Sequence, residues 1–151
     1  MKEIAIGDSL PDFSLKNQDG VVLYSQDWIG SPVVIYFYPG DFTPVCTAQA
    51  CSFRNQFDDF EDYKVRVIGI SHDDVASHKK FAEENQLPFN ILSDVKNTVR
   101  DQFGVPKGVF GLLSGRVTYV FDAKGALAFK YKADLRAKEH VKKALKAVEL
   151  L

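Results

Sequence analysis

The chain contains two cysteines, Cys46 and Cys51, which lie five positions apart in the stretch YPGDFTPVCTAQAC (38–51). A thiol can attack an electrophile, bind a metal or form a disulfide, so this pair is well suited to chemistry. In a reducing compartment structural disulfides are rare, and a close cysteine pair is more often redox-active or metal-binding. The local structure around the two residues decides between these uses.

The residues before Cys46 predict that it lies at the start of a helix. Thr43 is a favoured N-cap residue, and Pro44 is favoured at the first helical position. In that register Cys46 is the third helical residue, beside free backbone N–H groups and the positive end of the helix dipole, where a thiolate is stabilised. We expect the Thr43 hydroxyl to reach the same pocket, and Pro39 and Pro44 to stiffen the loop and shield the sulfur.

The spacing between the two cysteines argues against a disulfide within an intact helix. Residues five apart on a helix have Cα atoms roughly 8.7 Å apart. A disulfide needs Cα atoms within about 7 Å. A bond between Cys46 and Cys51 therefore requires at least the first helical turn to unwind, which predicts one reactive, helical conformation and one unwound, cross-linked conformation.

A structural role and a metal-binding role are the two other uses of these cysteines. Both could be small buried apolar residues, but the Thr-Pro pair and the preceding strand end disfavour that interpretation. Two cysteines and three scattered histidines do not form a zinc pattern, and we expect no metal or other cofactor. We expect His72 and His78 to lie on the surface and His140 to be solvated on the last helix.

The surrounding elements predict an α/β fold with a mixed central sheet flanked by helices on both faces. The apolar runs 32–38 and 64–71 are typical of buried strands, and the first of them directly precedes the cysteine segment. Apolar residues at steps of three and four predict one helix from Pro44 onwards, with Cys46, Ala50, Phe53, Phe57 and Phe60 on its buried face. Further strands are predicted at 12–24 (two around a turn), 89–94 and 116–131 (a hairpin), and helices at 73–86, 95–105 and 136–151. Catalytic residues in such folds lie beyond the carboxyl ends of strands.

Length and charge limit the classes of function. The 151 residues suit a single domain, 1–151. The net charge is −1 and positive charge is scattered, which argues against nucleic acid or an anionic membrane as partner. No apolar run is long enough for a secretory leader or a bilayer span, so we expect a cytosolic protein. The last helix could bind a membrane or partner, but its small apolar residues favour packing on the sheet.

The stretch Pro39–Cys46 matches the Pro-x-x-x-Thr/Ser-x-x-Cys motif of peroxiredoxins. The second cysteine, in CTAQACSFR, resembles the peroxiredoxin Q (bacterioferritin comigratory protein) subfamily. Supporting stretches occur in order through nearly the whole chain, namely GDSLPDFSLKNQDG, VIGIS, FNILSD, FGV and RVTYVFDAKG. The motif, the cysteine spacing and this order together make the resemblance specific.

The resemblance implies a thioredoxin-like fold with peroxiredoxin insertions and a thiol peroxidase activity. By position, Cys46 corresponds to the peroxidatic cysteine and Cys51 to the resolving cysteine. Pro39 and Thr43 correspond to the active-site proline and hydroxyl residue. Arg116 corresponds to the active-site arginine.

The residue type of Arg116 also suits this role. An arginine that opens a strand is usually solvated, but a thiolate needs a neighbouring cation and a peroxide transition state needs donors to its oxygens. Arg54 and Lys107 are the other basic candidates, and the family match favours Arg116. One departure from the subfamily is Val45, where glycine is common, and a β-branched residue there is expected to affect how readily the turn unwinds.

The expected cycle oxidises Cys46 to a sulfenic acid with hydrogen peroxide or an organic hydroperoxide, and Cys51 then forms the intramolecular disulfide. A thioredoxin-like or glutaredoxin-like reductant restores both thiols. The resemblance favours a monomer, since the resolving cysteine is in the same chain. The alternatives are a redox sensor without turnover and a dithiol oxidoreductase, although the usual pair of the latter is C-x-x-C.

Overall fold

The structure is a computed structural model that describes residues 2–107 and 115–151. The strands are β1 (Ser14–Asn17), β2 (Val22–Tyr24), β3 (Val33–Phe37), β4 (Arg66–Ser71), β5 (Asn90–Ser93), β6 (Val117–Phe121) and β7 (Leu127–Lys132). The helices are α1 (Pro44–Asn55), α2 (Phe57–Asp62), α3 (Val75–Asn85), α4 (Thr98–Phe103) and α5 (Ala137–Glu149), with a 3-10 helix at Ser25–Trp28.

The strands of the described ranges form one seven-stranded sheet in the order β2-β1-β5-β4-β3-β6-β7. β3, β4 and β5 run parallel, while the remaining neighbours pair antiparallel. The central position of β3 explains its continuous apolar sequence, because all five of its residues are buried. The predicted mixed sheet is confirmed.

Helices cover both faces of this sheet. Successive side chains of β3 point to opposite faces, so Val34 and Tyr36 belong to one core and Ile35 and Phe37 to the other. The first core is completed by α1, α2, α3 and α5, and the second by α4, the 3-10 helix and the N-terminal segment. Cys46 lies in the first core, which places the cysteine segment on the face with the longer helices.

The predicted helix after Pro44 is divided in two. Gln56 takes φ −101° and ψ 8°, which separates α1 from α2. The apolar stripe nevertheless continues across the break, with Phe53 and Phe60 both fully buried. The long stripe therefore indicated the buried face correctly and the number of helices wrongly.

The last helix packs on the sheet, as its small apolar residues indicated. Val141, Ala144 and Val148 are buried against the same core as Cys46. None of the helices within 2–107 and 115–151 is long and apolar enough to cross a bilayer.

Candidate active site

The start of α1 has the register that the sequence predicted. Thr43 is the N-cap residue with an extended backbone, Pro44 is the first helical residue, and Cys46 is the third. The Thr43 hydroxyl does not cap the helix but donates to the Gly40 carbonyl at 3.0 Å. Thr43 as a whole residue is exposed.

Arg116 lies directly against the sulfur of Cys46. Its Nη2 donates to Cys46 Sγ at 3.1 Å, and both residues are almost fully buried, with exposed fractions of 2% and 1%. Its Nε donates to the Asp134 carbonyl at 3.0 Å, and its Nη1 donates to Gln49 Oε1. The guanidinium is therefore fixed from α1 and from the β7–α5 connection, with one edge directed at the sulfur.

The other basic candidates are placed elsewhere. The Arg54 guanidinium donates to the Asn85 carbonyl and to the Asn55 side chain. Lys107 is exposed to solvent. Of the three basic side chains that the sequence offered, the structure brings Arg116 to the sulfur.

Gln49 is part of the site and was missed from the sequence. It is fully buried and accepts a hydrogen bond from Arg116, while its Nε2 has no hydrogen-bond partner among the described residues. A signal did exist, because Gln49 follows Cys46 by three positions and so shares its helix face. A polar residue on an otherwise apolar stripe indicates a buried partner.

Cys51 lies on the same helix, about 1.4 turns beyond Cys46. Its side chain is half-buried, and its Sγ lies 3.5 Å from Asn85 Oδ1 on α3. Both cysteines are free thiols, and α1 is helical throughout. The two cysteines are thus unbonded on an intact helix, which agrees with the prediction that helical spacing keeps them from forming a disulfide.

His78 is buried, so its expected surface position is wrong. It is fully excluded from solvent and lies between Asp41 Oδ2, at 2.7 Å from Nδ1, and the Leu92 carbonyl, at 2.9 Å from Nε2. The physical reason is that α3 turns this face towards the loop before Cys46, where Asp41 supplies a buried polar partner. His72 is exposed, as expected.

His140 is also buried, which contradicts the expected solvated position. It follows Ala137 by three positions and precedes Ala144 by four, so it shares their buried face. Its Nε2 lies 2.6 Å from the Ala133 carbonyl and its Nδ1 lies 2.8 Å from Thr118 Oγ1. Burial lowers the pKa of His140 to about 4, so the ring is neutral at pH 7.

Two tyrosines of the first core remain protonated at neutral pH. Burial raises the pKa of Tyr36 and of Tyr38 well above the ordinary value, and nearby negative groups add to the effect. Tyr38 donates its hydroxyl to Asp41 Oδ1 at 2.7 Å. Tyr38 therefore acts as a hydrogen-bond donor to the loop that precedes Cys46.

Asp41, Asp73 and His78 offer three ligand atoms close enough to hold a cation. Each is already engaged, since Asp73 Oδ2 accepts from the Asp41 amide and the Ser71 hydroxyl, and both ring nitrogens of His78 have partners. The cluster is a satisfied hydrogen-bond network. A metal would have to replace these bonds.

The chain is similar to proteins of one family over nearly its whole length. Residues 6–130 match the AhpC/TSA family. "Peroxiredoxin Q, chloroplastic" of Triticum aestivum is 45% identical over 149 residues, which cover 99% of this chain and 69% of the relative. The protein of that name from Populus jackii is 46% identical over 145 residues, covering 96% and 68%.

Solved structures give the same result. Peroxidoxin BcpB from Mycobacterium tuberculosis superposes with a TM-score of 0.88 at 34% identity and covers 97% of each chain. A peroxiredoxin Q mutant from Xylella fastidiosa has a TM-score of 0.86 at 24% identity, covering 97% of this chain and 98% of its own, and supports the fold.

These relatives correct one expectation and establish the family. The curated relatives are named chloroplastic, which contradicts the cytosolic location inferred from the sequence. The family model covers most of the chain, and the similarity to the named relatives extends over nearly all of it. The chain belongs to the AhpC/TSA family as a peroxiredoxin of the Q type, a thiol-dependent peroxidase with a thioredoxin-like fold.

Proposed function

We propose that Cys46 is the peroxidatic cysteine and that Arg116, Thr43 and Pro39 form its pocket. The observation that carries this assignment is the 3.1 Å contact between Arg116 Nη2 and Cys46 Sγ at the start of α1. A permanent cation and the free N–H groups of a helix start both stabilise a thiolate. Pro39, half-buried and two residues beyond β3, stiffens the loop that leads to Cys46.

The first step is attack of the Cys46 thiolate on the terminal oxygen of a hydroperoxide. The O–O bond breaks, an S–O bond forms, and the leaving alkoxide or hydroxide takes a proton to become alcohol or water. Arg116 donates to the oxygens as charge moves onto them. Because the Thr43 hydroxyl donates its hydrogen to Gly40, its oxygen lone pairs are available to accept from the peroxide O–H.

The second step joins Cys46 to the resolving cysteine, Cys51. The Cys51 thiol attacks the sulfenic acid, which forms the disulfide and releases water. Both cysteines lie on α1, where the five-residue spacing keeps their Cα atoms roughly 8.7 Å apart. A disulfide requires Cα atoms within about 7 Å, so the first turn of the helix must unwind before the bond can form. A dithiol of thioredoxin or glutaredoxin type then reduces the disulfide by exchange.

The proposal also covers the substrates, the binding partners and the oligomeric state. The substrates are hydrogen peroxide and organic hydroperoxides, and neither nucleic acid nor a membrane takes part. The enzyme acts as a monomer, since both reacting cysteines are in one chain. Membership of a peroxidase family does not favour the two alternative functions, a redox sensor without turnover and a dithiol oxidoreductase.

Matched cysteine variants test the assignment. In an assay that couples NADPH to thioredoxin, Cys46→Ser should show no hydroperoxide-dependent turnover. Cys51→Ser should still form one sulfenic acid per chain, trapped by dimedone, but should lose recycling by thioredoxin. Turnover in Cys46→Ser would refute the role of Cys46, and normal recycling in Cys51→Ser would remove Cys51 from the cycle.

A further inference from the structure

One face of α3 contacts both parts of the cysteine segment. The residues that form this face follow one another at steps of three and four, so they project from the same side of the helix, and they are His78, Phe81 and Asn85. Their partners, in the same order, are Asp41, Phe42 and Cys51. A single helix therefore holds the loop before Cys46 at one end and the Cys51 thiol at the other.

Asp41 makes the most extensive of these contacts. It is almost fully buried, with 8% exposed. Its Oδ1 accepts from the Tyr38 hydroxyl, and its Oδ2 accepts from the Ser77 hydroxyl at 2.9 Å and faces His78 Nδ1 at 2.7 Å. A carboxylate in such surroundings is stable only with these partners.

The hydrogen-bond pattern fixes the number of protons on the pair of Asp41 and His78. The Leu92 carbonyl can only accept, so His78 Nε2 carries a hydrogen. The other ring nitrogen faces a carboxylate oxygen, and this close contact requires one more proton between them. The 2.7 Å contact between Asp41 Oδ2 and His78 Nδ1 is therefore a short, buried hydrogen bond.

The next residue shows why this loop needs such support. Phe42 has φ 63°, in the left-handed region that bulky residues avoid. Its ring packs edge-on against Phe81 of α3, with 5.3 Å between the centroids. A residue in this region needs support from its surroundings, and the contact with Phe81 on α3 supplies such support.

We propose that Asp41 and His78 are a positioning pair that holds residues 39–46 in the reactive conformation and thereby sets the rate at which oxidised Cys46 reaches Cys51. This inference rests on the proposed roles of the two cysteines. While the pair is intact, the sulfenic acid stays in the pocket. There a second hydroperoxide can transfer its terminal oxygen to the sulfur, giving a sulfinic acid and an alcohol or water, with no further oxidant needed. Breaking the pair favours unwinding and directs the sulfenic acid to the disulfide.

The test measures the two fates of Cys46 separately. Reduced protein is mixed with hydroperoxide, quenched with an alkylating reagent at set times, and the sulfenic, disulfide and sulfinic forms are counted by intact mass. In His78→Leu we expect disulfide formation to be about tenfold faster and the sulfinic fraction under excess peroxide to be lower, since the buried Asp41 carboxyl loses a hydrogen-bond partner. Ser77→Ala removes one weaker bond to Asp41 and should accelerate the same step about threefold.

Ser25→Ala is the matched control, because it makes the same substitution at a buried serine beside the other core. The Ser25 hydroxyl donates to the Pro11 carbonyl at 2.8 Å and accepts from the Phe13 amide at 2.9 Å. The variant therefore lowers global stability without touching residues 39–46, and its disulfide rate should equal that of the wild type. Equal acceleration in this control would overturn the inference. Unchanged disulfide rates in His78→Leu and Ser77→Ala would also overturn it, and Ser77→Ala decides alone if His78→Leu does not fold. A wild type that forms no sulfenic acid on Cys46 would refute the proposed function itself, and the inference with it.

Discussion

Arg116 and Cys46 are 70 positions apart in the sequence, yet Nη2 and Sγ lie 3.1 Å apart. The pairing of β3 with β6 accounts for this contact, because Phe37 at the end of β3 lies opposite Val117 at the start of β6. Arg116 immediately precedes β6, and the loop to Cys46 immediately follows β3. The register of two antiparallel strands therefore places the cation beside the sulfur.

Arg116→Lys should slow the oxidation of Cys46 by about 100-fold, the usual cost of removing one transition-state donor. An ammonium keeps the charge but lacks the planar fork that reaches Gln49 and the sulfur together. Single-turnover peroxide consumption measures this rate. Arg54→Lys is the control and should react like the wild type, because the Arg54 guanidinium donates to Asn85 and Asn55. A wild-type rate in Arg116→Lys would exclude Arg116 from the transition state.

Gln49→Leu should impair both catalysis and stability. It leaves Arg116 Nη1 buried without its acceptor, which costs about 1–3 kcal/mol and loosens the guanidinium. We expect a roughly tenfold slower oxidation of Cys46, since 1.4 kcal/mol corresponds to a factor of ten. Gln49→Glu keeps an acceptor for Nη1 and should recover most of the rate. Equal loss in both variants would show that Gln49 does not act by holding Arg116.

The features predicted correctly were those with local signals. The apolar run at β3, the Thr-Pro start of α1 and the spacing of the two cysteines each depend on neighbouring residues, and the structure agrees with all three. The family match predicts Arg116, whereas its own neighbourhood in the sequence resembles a solvated strand start. The long-range pairing of β3 with β6 decides its position, and no short stretch contains that information.

The buried histidines were mispredicted for the same reason. A histidine is buried when the fold supplies partners for both ring nitrogens, and those of His78 come from Asp41 and Leu92. Those of His140 come from Thr118 and Ala133. These partners lie on other elements, so the sequence of the helix alone does not reveal them.

His140 should make the protein less stable in mild acid. Burial lowers its pKa to about 4, while an unfolded histidine has a pKa of about 6.5. Between these values the unfolded chain binds the proton and the folded chain does not. The neutral His140 therefore contributes fully to the free energy of unfolding above pH 6.5, and this contribution is lost as pH falls towards 4. The free energy of unfolding falls by about 3 kcal/mol in total, because each unit of difference between the two pKa values corresponds to about 1.4 kcal/mol.

Urea unfolding at pH 7 and pH 4.5 measures this effect. His140→Gln has no titrating ring and should show a smaller decrease in the free energy of unfolding between the two pH values. His72→Gln, at an exposed position, is the control and should keep the wild-type decrease. The same decrease in His140→Gln would show that another group causes the acid sensitivity.

Val45→Gly should accelerate the formation of the Cys46–Cys51 disulfide. Val45 is the second residue of α1 and is half-buried, so it lies in the turn that must unwind. Val45→Ala is the control, because it also removes the valine side chain. Alanine stabilises the helix by about 1 kcal/mol more than glycine does, so the two variants differ in how readily the turn unwinds. The disulfide should therefore form about fivefold faster in Val45→Gly than in Val45→Ala, as measured by quenched-flow mass spectrometry. Equal rates would show that unwinding of the first turn does not limit this step.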